Sequence, residues 1–220
     1  MFKTELHCHS NDVSECARVD VDTIMKRYLE GGYSTLVLTN HFNETTSNRW
    51  GCQSWDEFID RIMLGYNKLK EASNGRIEIL LGIELRFTQN VNDYLVFGIT
   101  ESFLREHEYI YKMTPESFSA LARENGLLFI QAHPFRNSMT VINPKYLDGV
   151  EVFNGHFGHD SRNEIANMWA EKFGLIKTSG TDFHYSDVPT NAGILTEKKI
   201  TSMNELVEIL RSGKYELIRG

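Results

Sequence analysis

The sequence has few cysteines and few prolines, and both scarcities limit what the protein can be. Its three cysteines are odd in number and form no C-x-x-C pair, so neither a disulfide framework nor a zinc ribbon is indicated. Only four prolines occur among 220 residues, and no Pro/Gly/Ser-rich linker divides the chain. We therefore predict a single domain over residues 1–220. Sparing use of cysteine is typical of a reducing compartment, so we expect a cytoplasmic protein.

The sequence also lacks a basic excess and a long apolar run. Its formal net charge is −7 at pH 7, and no cluster of Lys and Arg could follow a phosphate backbone, which argues against nucleic acid as a partner. No apolar run approaches the roughly 18 residues that span a bilayer, so no membrane partner is expected. Bound divalent cations would reverse the local charge of an acidic site, which leaves a small anionic substrate open. The sequence indicates no oligomeric state.

Short apolar runs alternate with segments of helical period, a pattern typical of repeated βα units in an α/β protein. The predicted strands are seven and cover residues 2–9, 34–41, 77–85, 93–100, 127–134, 149–155 and 175–184. The predicted helices cover residues 20–32, 54–75, 114–126, 161–174 and 202–216, with capping residues before them and glycine after most of them. Residues 191–218 add a final extended segment and the last of these helices.

Polar side chains stand at or just after the ends of these apolar runs. They are His9, His41, Glu84, His133, Asn154, Asp182 and His184. In a barrel of parallel strands such ends converge on one mouth, where active sites are built, whereas an open sheet would spread them along an edge. The convergence favours a TIM-like barrel, smaller than the eight-stranded form.

Two of these strand ends carry a pair of potential metal ligands. His7 and His9 lie two residues apart in HCH, so both side chains point to the same face of a strand, and Asp182 and His184 repeat this spacing in GTDFH. Imidazole nitrogen with carboxylate oxygen suits Zn, Mn or Fe. Seven or eight candidate ligands exceed the four of a structural zinc and match two or three cations. Glu84 is the candidate bridging carboxylate, because a carboxylate at the end of EILLGIE needs a partner.

The ordered set HCH, TNH, GIE, AHP, EVFN and GTDFH resembles the PHP (polymerase and histidinol phosphatase) family and extends through the whole chain. The resemblance implies a distorted seven-stranded (βα)7 TIM-like barrel, a centre of two or three metal ions at its C-terminal mouth, and phosphoesterase chemistry. Its metal ligands would be His7, His9, Glu15, His41, Glu84, His133, Asn154, Asp182 and His184.

The expected reaction is hydrolysis of a small phosphomonoester by a water molecule that the metal centre activates. Glu84, as the bridge, and His156, as general acid for the leaving group, are the candidate catalytic residues. Arg136, three residues after His133, and Arg18, in the loop after the first strand, are the candidate phosphate-binding residues.

Three alternatives share the same metal ligands. An amidohydrolase-like enzyme also begins with an HxH pair, but usually uses a carboxylated lysine and a lone late aspartate where this chain has Glu84 and a DxH pair. A nuclease would need a channel for its substrate, and the acidic chain has no basic stripe. A non-catalytic metal-binding accessory domain is the third alternative.

Overall fold

The computed structural model describes residues 1–220 and contains eleven β-strands and seven α-helices. The strands are β1 (Phe2–Cys8), β2 (Tyr33–Leu38), β3 (His41–Phe42), β4 (Glu78–Leu81), β5 (Ile83–Arg86), β6 (Asp93–Phe97), β7 (Leu128–Gln131), β8 (Gly149–Asn154), β9 (Ile176–Gly180), β10 (Ala192–Thr196) and β11 (Glu216–Arg219). The helices are α1 (Val21–Glu30), α2 (Glu44–Arg49), α3 (Trp55–Ser73), α4 (Glu101–Glu106), α5 (Pro115–Glu124), α6 (Asn163–Phe173) and α7 (Met203–Ser212).

The strands form two mixed sheets. One has the order β11-β10-β1-β2-β4 and the other the order β3-β5-β6-β7-β8-β9. The pairs β1/β2, β2/β4, β7/β8 and β8/β9 are parallel, whereas β5/β6, β6/β7 and β1/β10 are antiparallel. The sheets meet where Cys8 forms an isolated parallel bridge with Phe183 and where the Gly82 amide donates to the Leu38 carbonyl over 3.0 Å.

The mixed α/β class is confirmed, but the predicted closed barrel of seven parallel strands is not. Gly82 divides the predicted strand 77–85 into β4 and β5, which belong to different sheets. Residues 87–92 then join β5 to β6 directly, and a loop of this length cannot make the crossover of a dozen or more residues that parallel strands need. Strands β5 and β6 are therefore antiparallel, and the βα alternation is interrupted.

All five predicted helices are present, and all but α6 begin after a residue whose side chain caps the first turn. The Asp20 side chain accepts from the Thr23 amide at the start of α1, and Thr114 forms a capping box with Ser117 ahead of Pro115 in α5. Helices α2 and α4 are six residues long and were not predicted. No helix has both the length and the apolar character needed to cross a membrane.

The fully buried Glu5 carboxylate links β1 to the turn that follows β9. The Glu5 carboxylate accepts from the amides of His7 and Thr181 over 2.8 and 3.0 Å, and from the Tyr28 hydroxyl over 2.9 Å. Burial raises the pKa of Glu5 to about 7, although these hydrogen bonds lower it. Glu5 therefore fixes β1 against the segment that carries Asp182.

Replacing Glu5 should destabilise the fold. In Glu5→Ala the buried donors that face the carboxylate lose their acceptor, and each unpaired buried donor costs about 1–3 kcal/mol. We expect urea unfolding to show a loss of at least about 3 kcal/mol. The control Glu208→Ala, at an exposed position of α7, should change stability by less than about 0.5 kcal/mol. Equal stability of the two variants would contradict the role of Glu5.

Candidate metal centre

The structure brings eight of the nine predicted metal ligands to one place between the two sheets. Most lie at the C-terminal ends of strands or in the turns after them, whereas His41 begins β3 and Glu84 lies within β5. All but His41 are buried: His7, His9, His41, Glu84, His133, Asn154, Asp182 and His184. His7 and His9 project to the same face, as their spacing predicts, with ring centroids 5.1 Å apart. The strand-end positions thus converge even though the sheets do not form a closed barrel.

Glu84 lies at the centre of this cluster. Its Oε2 is 2.7 Å from His41 Nδ1 and 3.5 Å from His9 Nε2. Its Oε1 is 3.2 Å from both His7 Nε2 and His133 Nε2. One carboxylate thus faces four imidazoles with its two oxygens, which is the arrangement that a bridging ligand requires.

Asp182 provides the second carboxylate of the cluster. Its Oδ1 is 3.4 Å from both His7 Nε2 and His9 Nε2, and 3.1 Å from His184 Nδ1. Glu84 and Asp182 therefore both face Nε2 of His7 and Nε2 of His9. Oxygen and nitrogen donors converge on the space between the carboxylates.

The donor set fits divalent cations. Three ring nitrogens are buried and make no hydrogen bond: His7 Nε2, His9 Nε2 and His133 Nδ1. Hydrogen bonds hold Nδ1 of His7 to Glu151 and Nδ1 of His9 to Ser14, which leaves Nε2 of each ring directed at the carboxylates. Three groups of potential ligands each have their donor atoms within 4.8 Å of one another: His9, His41 and His184; His7, Glu84 and His133; His7, His9 and Asp182.

The charges of the cluster also suit cations. Burial alone would raise the pKa of Glu84, but His7 and His41 hold it well below its usual range. Burial likewise opposes ionisation of Asp182, yet His7 and His184 keep its pKa well below its usual range. Burial would lower the pKa of His7, but Glu151 and the two clustered carboxylates raise it. The site therefore holds two ionised carboxylates and an imidazole proton that a bound cation would displace, because metal binding requires deprotonated ligands.

Two of the clustered residues have unusual backbone conformations. His133 has φ +27° and Asp182 has φ +52°, in the left-handed region that residues other than glycine seldom adopt. Such conformations cost about 1–3 kcal/mol each and persist where the surroundings enforce them, often at functional sites. Here they occur two residues after the ends of β7 and β9 and direct the two side chains into the cluster.

Glu151 and Asn154, both on β8, support the cluster from behind. Glu151 Oε1 accepts from His7 Nδ1 over 2.9 Å, and its Oε2 accepts from the His133 amide and from Asn154 Nδ2 over 3.0 and 2.9 Å. Asn154 Nδ2 also donates to Asp182 Oδ2 over 3.2 Å. Sequence reasoning missed Glu151, although a charged residue inside the apolar run GVEVF was a usable signal.

The structure separates Glu15 from the other predicted ligands and brings its neighbour Cys16 close instead. Glu15 Oε2 is 3.0 Å from Arg49 Nε at the surface. Cys16 Sγ is 3.1 Å from His41 Nε2. Burial would raise the pKa of the Cys16 thiol, but hydrogen bonds from His184 and His41 lower it to about 6. Cys16 was not among the predicted site residues, and its place in a polar loop gave no signal.

The predicted substrate-binding and acid residues divide in the same way. Arg136 Nη2 donates to Asp182 Oδ2 over 2.6 Å and to Asn154 Oδ1 over 3.0 Å, at the edge of the cluster. A cavity of about 340 Å³ opens beside the cluster, and both Arg136 and His156 line it. Arg18 lines a separate surface cavity beside Trp50. The structure thus brings Arg136 and His156, but not the Arg18 side chain, to the cluster.

A second cavity of about 540 Å³ adjoins the first and shares Cys16, His41 and Arg86 with it. Its remaining lining residues are mostly polar: Glu15, Asn43, Glu44, Thr45, Thr46, Phe87, Thr88 and Asn90. The cluster therefore opens onto a space with many hydrogen-bonding groups.

Solved structures with a similar fold are distant in sequence. A two-domain protein from Bacteroides vulgatus, containing a predicted PHP-like metal-dependent phosphoesterase, has a TM-score of 0.69 and 16% identity. That match covers 99% of this chain and 64% of the other, so this chain spans less than two thirds of that protein. PsfC from Pseudomonas syringae has a TM-score of 0.69 and 17% identity, covering 94% of this chain and 87% of its own.

A third similar structure is the novel lesion-specific endonuclease PfuEndoQ from Pyrococcus furiosus, with a TM-score of 0.64 and 15% identity, covering 98% of this chain and 57% of that one. At these identities the likeness shows a shared fold. No curated protein matches the chain significantly. The sequence model of the PHP domain matches residues 5–215, nearly the whole chain, and this chain belongs to the PHP domain family.

Proposed function

We propose that this protein hydrolyses the phosphomonoester of a small molecule at a centre of two or three divalent cations, Zn, Mn or Fe. The observation that carries the proposal is the convergence of buried histidines on Glu84 and Asp182, with Nε2 of His7 and His9 unpaired, beneath an open polar cavity. The three free cysteines support a cytoplasmic location.

The cations would be held by the clustered histidines together with Glu84 as the bridge and Asp182. Asn154, whose amide oxygen accepts from Arg136, would position Asp182 instead of binding a cation. When bound, they supply Lewis-acid chemistry, which stabilises charge on phosphoryl oxygens and acidifies a water molecule. The chain itself fixes the ligands: Glu151 orients the His7 ring and the His133 backbone, and Ser14 orients the His9 ring.

Arg136 is suited to hold the phosphate. Its guanidinium is only 13% exposed and lies beside Asp182, and its Nε is buried without a partner. A buried guanidinium with an unused donor binds a phosphate oxygen strongly, because charge-assisted hydrogen bonds are stronger than neutral ones. Arg136 would orient the phosphoryl group over the cluster.

His156 is suited to donate a hydrogen bond rather than a proton. Its Nδ1 accepts from the Gly158 amide over 3.0 Å, so the neutral ring carries its hydrogen on Nε2. Burial lowers the pKa of His156 to about 4, and the ring is therefore neutral at pH 7. We therefore assign it to a phosphoryl or leaving-group oxygen as a hydrogen-bond donor, in place of the general acid expected from sequence.

The adjoining 540 Å³ cavity supports a small leaving group. It is large enough for a sugar-sized molecule, and its amide and hydroxyl side chains, such as Asn43, Thr88 and Asn90, can hydrogen-bond to hydroxyl groups. The net charge of −7 disfavours a long polyanion. An oligonucleotide still belongs in the substrate panel, because a lesion-specific endonuclease shares the fold.

Removing one carboxylate ligand should abolish turnover. We expect Asp182→Asn to lower the rate of phosphate release from a panel of phosphomonoesters by at least about 100-fold, since loss of supporting partners alone costs about 10–100-fold. Asp148→Asn, outside the cluster, serves as the matched control. Release by Asp182→Asn at the wild-type rate would refute the proposal, and cleavage of the oligonucleotide alone would replace it with a nuclease.

Replacing Arg136 should weaken substrate binding. We expect Arg136→Ala to raise KM about tenfold, the effect of losing roughly 1.4 kcal/mol from a charge-assisted hydrogen bond. Arg136→Lys should recover part of this loss, and Arg76→Ala, at the exposed turn after α3, should behave as wild type. An unchanged KM in Arg136→Ala would remove this residue from the phosphate site.

Bound cations should stabilise the fold. The ion binds the folded cluster and not the dispersed ligands, so a concentration of 100 times the Kd adds about 2.7 kcal/mol. We expect added Zn or Mn to raise Tm in the wild type, a chelator to reverse the change, and Glu84→Gln to show a much smaller rise. A Tm that changes with neither added metal nor chelator would contradict the proposed centre.

A further inference from the structure

The loop after β1 places a sulfur atom against the imidazoles on the open side of the cluster. Cys16 Sγ lies 3.1 Å from His41 Nε2, and the other nitrogen of that ring, Nδ1, lies 2.7 Å from Glu84 Oε2. The His41 ring therefore stands between the bridging carboxylate and the thiol. A ligand bound to His41 Nε2 would also contact the sulfur.

The neighbouring histidines also direct nitrogens to this space. The Nδ1 of His184 contacts the Asp182 carbonyl over 2.9 Å, which leaves its Nε2 available as a ligand. The His9 ring centroid is 4.2 Å from that of His184 and 4.5 Å from that of His41. His9 Nε2 is fully buried and has no hydrogen-bond partner. An unsatisfied buried nitrogen beside two further imidazoles and a thiol indicates a position for a cation.

Glu15, the ligand expected from sequence in this loop, is directed elsewhere. Its carboxylate pairs with the Arg49 guanidinium over 3.0 Å, and both side chains are substantially exposed. An exposed pair of this kind contributes little energy, so it does not lock the loop. The loop nevertheless presents Cys16, and not Glu15, to His41.

We propose that Cys16, in place of Glu15, binds a divalent cation together with His41 and His184 at the open side of the metal centre. The inference rests on the centre proposed above. On binding, the proton between Cys16 Sγ and His41 Nε2 passes to solvent, and sulfur–metal and nitrogen–metal bonds form. A thiolate with imidazole nitrogens is a softer donor set than carboxylate with imidazole, and it selects zinc over manganese at this position. The remaining ligands, rich in carboxylate, carry no such preference.

Cobalt provides a direct test, because a cobalt–thiolate bond gives a charge-transfer absorption band in the near ultraviolet that imidazole and carboxylate ligands do not give. We expect the full chain loaded with Co²⁺ to show this band, Cys16→Ser to lose it together with one bound cation, and the matched controls Cys52→Ser and Glu15→Gln to keep both. The band persisting in Cys16→Ser, or its absence from a wild-type chain that binds cobalt, overturns the proposal.

A measurement on the unaltered chain makes the test independent of how the variants fold. Zinc should slow alkylation of Cys16 by iodoacetamide more than tenfold, measured by peptide mapping, and leave the rate at Cys52 unchanged. Equal alkylation of Cys16 with and without bound zinc overturns the assignment. Both readouts are separate from turnover: a chain that binds cobalt and releases phosphate without the band refutes the role of Cys16 alone.

Discussion

Two ionised carboxylates are buried among histidines, and the contacts around them keep both charges in place. Glu84 and Asp182 are almost inaccessible to water, and an uncompensated buried charge is costly. Nearby imidazoles hold both carboxyl groups in their charged form. Divalent cations would balance the charge of the carboxylates and bind the unpaired histidine nitrogens at the same time.

The surrounding fold serves to hold these charges in place. Glu5 binds backbone amides of β1 and of the turn after β9, and Glu151 binds the His7 ring and the His133 backbone. Both carboxylates are buried, and their hydrogen bonds position the residues of the cluster. The left-handed backbone of His133 and Asp182 is a local cost that these hydrogen bonds offset. The strained backbone and these buried polar groups are thus concentrated around the cluster between the two sheets.

The sequence predicted which side chains lie together better than it predicted the order and direction of the strands. His7, Glu84, His133 and Asp182 could be placed together because each stands at or just beyond the end of an apolar strand, and strand ends are local features. The pattern at the strand ends does not show whether the strands are parallel, because strand direction depends on the length of the connections between them. The six residues between β5 and β6 were a readable signal that these strands are antiparallel. Which of Glu15 and Cys16 faces His41 is set by the path of a loop, and a strand pattern carries no information about it.

Anomalous X-ray diffraction from crystals of the metal-loaded chain, with data collected on both sides of the absorption edge of the metal, would locate the cations. We expect two or three anomalous peaks inside the cluster, one of them contacting both Glu84 and Asp182. Crystals from metal-containing solution that show no peak there, or peaks only on the surface, would contradict the proposed metal centre.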